Sequence, residues 1–158
     1  MKEILNNKKK GFTLIELLVV ISIIGILTIV SLGSFVNAQI KSRDAQRKSD
    51  LDAVSKALMM YYNDNGVFPE NFLFGDDEIG FVSGSVIYMR KTPLDPKNKD
   101  EYQYMYKAYG GNTKFNLFAN LENKRDSQCK DEDNDYLVDG VNYCYGISSP
   151  NTIVDPSQ

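Results

Sequence analysis

The chain has no histidine among its 158 residues, which removes imidazole both as a general acid–base group and as a metal ligand. Proline is absent from Phe12 to Asn65, so nothing in that stretch forces a helix to stop. Charge is nearly absent at its start: from Phe12 to Val36 the only ionisable side chain is Glu16. Basic character is lacking outside the first residues. Lys2, Lys8, Lys9 and Lys10 against Glu3 give residues 1–11 a charge of +3, and the formal net charge of −3 then leaves −6 for the remainder. A nucleic-acid-binding domain is normally basic, so no nucleic acid is expected as a partner. No repeat or low-complexity segment is present. The mean hydropathy of −0.34 averages a very apolar N-terminus with a polar remainder.

What is present begins with Lys8-Lys9-Lys10-Gly11-Phe12-Thr13-Leu14-Ile15-Glu16, followed by an apolar run to about Val36. About 20 apolar residues suffice to cross a bilayer as one helix, and a basic flank favours the cytoplasmic side. Glu16 is the anomaly, because an acid in such a segment usually has a partner. The stretch KKKGFTLIELLVVISIIGIL resembles the class III signal of the type IV pilin and pseudopilin family. The resemblance implies that a prepilin peptidase cuts after Gly11 and methylates the new N-terminal Phe12. Glu16 then becomes the fifth residue of the mature chain. An ordinary signal anchor with an incidental glutamate is the alternative. A secretory signal peptide fits worse, because the apolar run is too long and lacks a small-x-small cleavage site.

The expected fold class is α+β: a long N-terminal helix packed on a small antiparallel head, the pilin fold. The expected divisions are a cleaved leader (1–11), a membrane or filament-core helix (12–36), an amphipathic half of the same helix (37–65) and a globular head (66–158). In the amphipathic half, Ile40, Leu51, Val54, Leu58 and Tyr61 fall near one face. Arg43, Asp44, Arg47, Lys48, Asp50, Asp52 and Lys56 fall on the opposing surface, with Asp44–Lys48 and Asp52–Lys56 as acid-before-base pairs at i,i+4. Asn63-Asp64-Asn65-Gly66 supplies the stop, with Gly66 just past the helix end. Gly25 and Gly33 interrupt the apolar half at about 1 kcal/mol each against alanine. They read either as points of local melting in a filament, which the family resemblance suggests, or as sites of close helix packing.

Beyond the helix, Ser85–Lys91 reads as one or two helical turns, and Thr92-Pro93-Leu94-Asp95-Pro96 as irregular. Tyr102–Ala108 alternates like a strand, with Tyr102, Tyr104, Tyr106 and Ala108 on one face. Gly110-Gly111-Asn112 is a hairpin turn, and Lys114–Leu121 alternates again with Phe115, Leu117, Ala119 and Leu121 inward. Residues 136–147 supply a further strand. The P-x-D-P and Y-x-Y pattern resembles the heads of major pseudopilins of type II secretion and of simple pilins. Cys129 and Cys144 lie beyond the anchor, where an oxidising compartment makes a disulfide the natural reading; two free thiols are the alternative. Asp131, Asp133, Asp135 and Asp139 place oxygens at alternating positions that suit Ca²⁺, and the family resemblance adds that major pseudopilins often bind calcium in a C-terminal loop. A solvated acidic loop fits the same residues, and no cofactor is required.

A soluble head on an apolar stalk implies an assembly that buries stalks inside and displays heads outside, a heterologous filament. By the resemblance, the Glu16 carboxylate pairs with the Phe12 amine of a neighbouring copy. The expected function is a structural subunit of a type IV pilus-like filament serving adhesion, motility or DNA uptake. The alternative is a type II secretion pseudopilin acting as a periplasmic piston. Expected partners are copies of itself, the prepilin peptidase, an inner-membrane assembly platform with its ATPase, minor pilins, and the membrane before assembly. Expected localisation is a single-pass precursor in the cytoplasmic membrane, then an extracellular or periplasmic filament. No enzymatic activity is expected: acids such as Asp95 and Asp100 sit in loop-like stretches with nothing to mark a cleft.

Overall fold

One helix, α1, runs without interruption from Leu14 to Asn65 in the computed structural model of the protein. The described residues are 11–75, 78, 80–130, 136–150 and 152–154, with backbone alone described at 29–33. The chain divides into two units, residues 1–39 and 40–158. The absence of proline permits the length of α1. Its end is set where the sequence places it: Gly66 adopts a φ of +73° and its N–H donates to the carbonyl of Tyr62 at 2.8 Å. A left-handed residue just past the last turn satisfies an otherwise orphaned helix carbonyl, and glycine takes that conformation without steric cost.

In the first unit the described apolar side chains are exposed all round the helix. Among the described residues, no helix is long and apolar enough to cross a membrane. The expectation of a span over 12–36 is therefore not met by the described residues.

In the second unit α1 is amphipathic, as its periodicity predicts. Leu51, Val54, Ala57 and Leu58 are buried and anchor the main core. The leucines and the valine each contribute about 1.5–3 kcal/mol on burial, and the alanine less. Their partners come from strands β3 (Met105–Tyr109), β4 (Lys114–Ala119) and β7 (Tyr145–Ser148), an antiparallel sheet of order β3-β4-β7. Phe115, Leu117, Ala119 and Leu121 are fully buried in this core, the inward set that the alternation predicts. The other face of β4 is covered too. Phe118 packs under Tyr136, Val138 and Tyr143 of a hairpin formed by β5 (Tyr136–Val138) and β6 (Val141–Tyr143).

Two expectations change. Residues 85–91 are not helical: β1 (Phe81–Ser83) and β2 (Val86–Met89) form a hairpin around Gly84. Gly80 docks so closely under β2 that a Cβ there would collide with the Met89 and Arg90 carbonyls. The hairpin carries Phe81 and Tyr88 onto Tyr61 of α1, with ring centroids 5.3 Å from it in both cases. Residues 136–147 hold parts of three strands rather than one, and only β7 joins the central sheet. On β3 the strand begins at Met105, so Tyr102 lies outside it and stacks instead near Arg47.

Candidate functional site

The N-terminal motif builds a defined helix start. Gly11 and Phe12 precede the helix, and the Phe12 side chain is 88% exposed. Thr13 is the capping residue. Its backbone N–H and its hydroxyl both donate to Glu16 Oε2 at 2.8 Å, and the Glu16 N–H donates back to Thr13 Oγ1 at 3.3 Å. This reciprocal threonine–glutamate box at a spacing of three satisfies donors that a helix start leaves free. In the single chain, then, Glu16 already has a partner within its own turn.

Downstream of the box the surface is hydrocarbon. Leu14, Ile15, Ile21, Ile26 and Leu27 are each at least 60% exposed. The hydroxyls of Ser22 and Thr28 donate to the carbonyls of Leu18 and Ile24, so they offer no free polar group along this stretch. At Gly25 an added Cβ would meet nothing within 4 Å. The backbone is helical at Gly25 and at Gly33. A helix that is apolar on every side is one whose burial must come from elsewhere.

A second constellation was not anticipated. Asp44 and Arg47, expected on the solvent face, are buried, Arg47 completely. The guanidinium of Arg47 donates to both oxygens of Asp95 at 2.7 and 3.0 Å, to Asp44 Oδ1 at 2.8 Å and to Glu122 Oε1 at 2.9 Å. Arg43 grips Glu122 through two bonds of 2.6 and 2.7 Å, and Lys97 reaches Glu122 at 2.9 Å. Asp44 in turn accepts the backbone N–H groups of Glu122 and Asn123, each at 2.9 Å. The expected Asp44–Lys48 pair is therefore replaced. Asp44 is consumed by Arg47 and two amides, and Lys48 pairs with Asp126 at 2.8 Å. The Asp52–Lys56 pair is present at 2.6 Å on the surface. The available signal was the crowding of charge at 43, 44, 47 and 48, three cations beside a single carboxylate, which leaves two of them in need of acids from elsewhere in the chain.

Cys129 and Cys144 form a disulfide, and the N–H of Lys130 donates to the Cys144 carbonyl at 2.7 Å. The bond closes the segment that carries the β5–β6 hairpin. Of the four acids considered for calcium, Asp131, Asp133 and Asp135 lie outside the described residues. Asp139 forms the β5–β6 turn with a φ of +49°. Among the described residues no group of acids and cysteines is placed to hold a metal. Asp95, one of the acids weighed for catalysis, is spent on Arg47, and Asp100 is an exposed loop residue.

The network makes the fold acid-sensitive. Its hydrogen bond from Arg43 holds the Glu122 carboxyl well below the ordinary value of 4.5, against the opposing effect of burial and with help from Lys97 and Arg47. Lys48 likewise lowers Asp126, whereas Asp50, outside the network, is raised by burial. A carboxylate with a lowered folded pKa stabilises fully above its unfolded pKa and loses that contribution as pH falls. Melting of the detergent-solubilised chain, followed by circular dichroism, should therefore hold level from pH 7 to about 5. It should then drop by roughly 5–10 °C towards pH 3, with a smaller drop in Glu122→Gln.

Sequence comparison agrees with the motif. A family model described as the prokaryotic N-terminal methylation motif matches residues 6–32. The type II secretion system core protein G of Vibrio cholerae is 30% identical over 108 residues, 63% of this chain and 72% of that protein. The same-named protein of Pseudomonas aeruginosa is 29% identical over 121 residues, 72% of this chain and 83% of its own. The type IV major pilin of Myxococcus xanthus is 30% identical over 116 residues, 73% of this chain. The chain spans only 45% of that pilin's length. No solved structure matches the chain significantly. With an N-terminal methylation motif over residues 6–32 and similarity to a type II secretion core protein G that covers 72% of that protein, the chain belongs to the family of type IV pilins and type II secretion pseudopilins.

Proposed function

We propose that this chain is the structural subunit of a type IV pilus-like filament, made as a single-pass membrane precursor. The observation that carries the proposal is the helix surface beyond Glu16, exposed and apolar on every side, directly behind the Gly11–Phe12 processing motif. The apolar run of the sequence continues to Val36 and so exceeds the roughly 20 residues a bilayer crossing needs. In this reading a prepilin peptidase removes residues 1–11 and methylates Phe12. The assembly platform and its ATPase then extract the helix from the lipid. Neighbouring helices replace lipid around it, and Glu16 meets the Phe12 amine of an adjacent copy. Minor pilins share the filament.

A second reading, a type II secretion pseudopilin, has an observation of its own. The chain spans 72–83% of two type II secretion core G proteins but only 31–45% of two pilins it matches. Intact-mass spectrometry on filaments sheared from cells, with the membrane fraction alongside, separates the readings. Abundant sheared protein beginning at N-methylated Phe12 is expected for the pilus. Processed protein confined to the envelope would favour the pseudopilin. Protein retaining residues 1–11 in active cells would overturn both.

A further inference from the structure

We propose that the end of the C-terminal unit at which the chain enters it is a docking surface for anionic lipid headgroups. The inference rests on the reading of residues 12–36 as a membrane anchor and adds to it a contact made by the folded unit itself.

The charges at this end are sorted by depth. Arg43, Arg47, Lys48 and Lys97 face Asp44, Asp95, Glu122 and Asp126, four cations for four carboxylates, so the network as a whole is neutral. Three of its four carboxylates lie inside, with the Asp95, Asp44 and Glu122 side chains 0%, 4% and 6% exposed around the fully buried Arg47; Arg43 and Lys97 are 30% and 31% exposed, and the Lys48–Asp126 pair is evenly exposed at 25% and 24%. Onto this neutral base the fold adds Lys41, one turn before Asp44, together with Lys124 and Arg125. All three are exposed and form no ion pair among the described residues. Lys124 and Arg125 are held here because the amides of Glu122 and Asn123 are pinned to Asp44 and because Lys48 grips Asp126. The neighbouring loop contributes Lys99 against Asp100 and Glu101, which among the described residues reduces the excess of three positive charges to two without reversing it. Residues 12–158 carry −6 overall, so a positive surface is a local feature of this end and not a property of the chain.

Chain connectivity supplies the occupant. Lys41 follows Val36 by five residues, which span at most about 18 Å in any conformation. A chain anchored through residue 36 therefore cannot carry Lys41 far from the headgroups, and the potential of an anionic bilayer attracts clustered Lys and Arg within about a Debye length of its surface. A precursor docked in this way would hold its folded unit against the outer leaflet until extraction.

The test uses the full chain in nanodiscs of phosphatidylcholine alone or with phosphatidylglycerol, and limited lysine acetylation read by mass spectrometry. Lys114 serves as internal control, because its hairpin lies at the opposite end of the unit, where the Phe68 N–H donates to the Asn112 carbonyl just beyond the end of α1. Lys41 and Lys124 should react about three-fold or more slowly in anionic discs, with Lys114 unchanged and the difference removed by 0.5 M NaCl, as expected for a screened surface interaction. In the double variant Lys124→Gln, Arg125→Gln, the lipid dependence at Lys41 should shrink. Equal reactivity in both lipids, with the chain incorporated, would overturn the docking surface and leave the anchor standing. Protection of Lys124 that arises only in assembled filaments would overturn it too, assigning these cations to a neighbouring copy. Failure to incorporate into either disc would instead remove the anchor on which the proposal rests.

Discussion

Replacing Arg47 by alanine is expected to destabilise the C-terminal unit by about 3–5 kcal/mol, more than any other single charge removal in this chain. The side chain is fully buried and makes four hydrogen bonds to three carboxylates, two of them to Asp95, whose own side chain has no solvent exposure. Burial by itself would lower the guanidinium pKa, yet the bonds to Asp95, Glu122 and Asp44 hold it raised, so the group is charged in the fold at every accessible pH. Without it, Asp95 and Asp44 would be desolvated anions with no counter-charge. The loop after β4 would suffer as well, because Asp44 orders the amides of Glu122 and Asn123. Lysine should rescue little, since an ammonium cannot match the planar fork that spans both oxygens of Asp95. A double replacement, Arg47→Met with Asp95→Leu, should recover much of the loss, because it removes both charges together. Urea unfolding of the four proteins would measure this. If Arg47→Ala lost less than about 1 kcal/mol, the network would be ornament and α1 would be held by its apolar stripe alone.

That network also marks the boundary of what could be read from the residues. The apolar stripe of α1, its stop at Gly66 and the inward set of β4 follow from periodicity and turn chemistry, which are local properties. The N-terminal motif was legible because basic residues, Gly11, Phe12 and Glu16 occur at fixed spacing before an apolar run. Arg47 was not, because its burial depends on Asp95 and Glu122, which lie 48 and 75 residues away in the chain. Helical periodicity assigns a charged residue to solvent by default; only a loop that returns with acids overrides it. Val86–Met89 failed for a different reason. Four consecutive apolar residues suit a helical turn and a strand equally well, and the decision fell to Gly84, whose φ of +58° makes the turn of a hairpin. The Thr13–Glu16 box was within reach of the sequence, since threonine followed three residues later by glutamate before an apolar run is a helix-start pattern.

The box sharpens the second large expected effect, loss of filament assembly in Glu16→Ala. Two roles for this carboxylate compete. As a helix cap it accepts two bonds from Thr13, and losing it should cost about 1 kcal/mol at the first turn. As the counter-charge of a neighbour's Phe12 amine in an apolar surrounding, its loss leaves a buried cation and should cost about 3–5 kcal/mol per contact, a factor of roughly 10²–10⁴ in association. Alanine removes both roles; Glu16→Gln separates them, because glutamine also serves at the third position of a capping box but carries no charge. Both variants should be cleaved after Gly11, and both should keep the melting behaviour of the C-terminal unit, because Glu16 belongs to the other unit. Sheared-filament yield should fall by at least about ten-fold in each. Normal yield from Glu16→Gln beside poor yield from Glu16→Ala would make Glu16 a helix-capping residue, and the charge pairing with Phe12 would have to be abandoned.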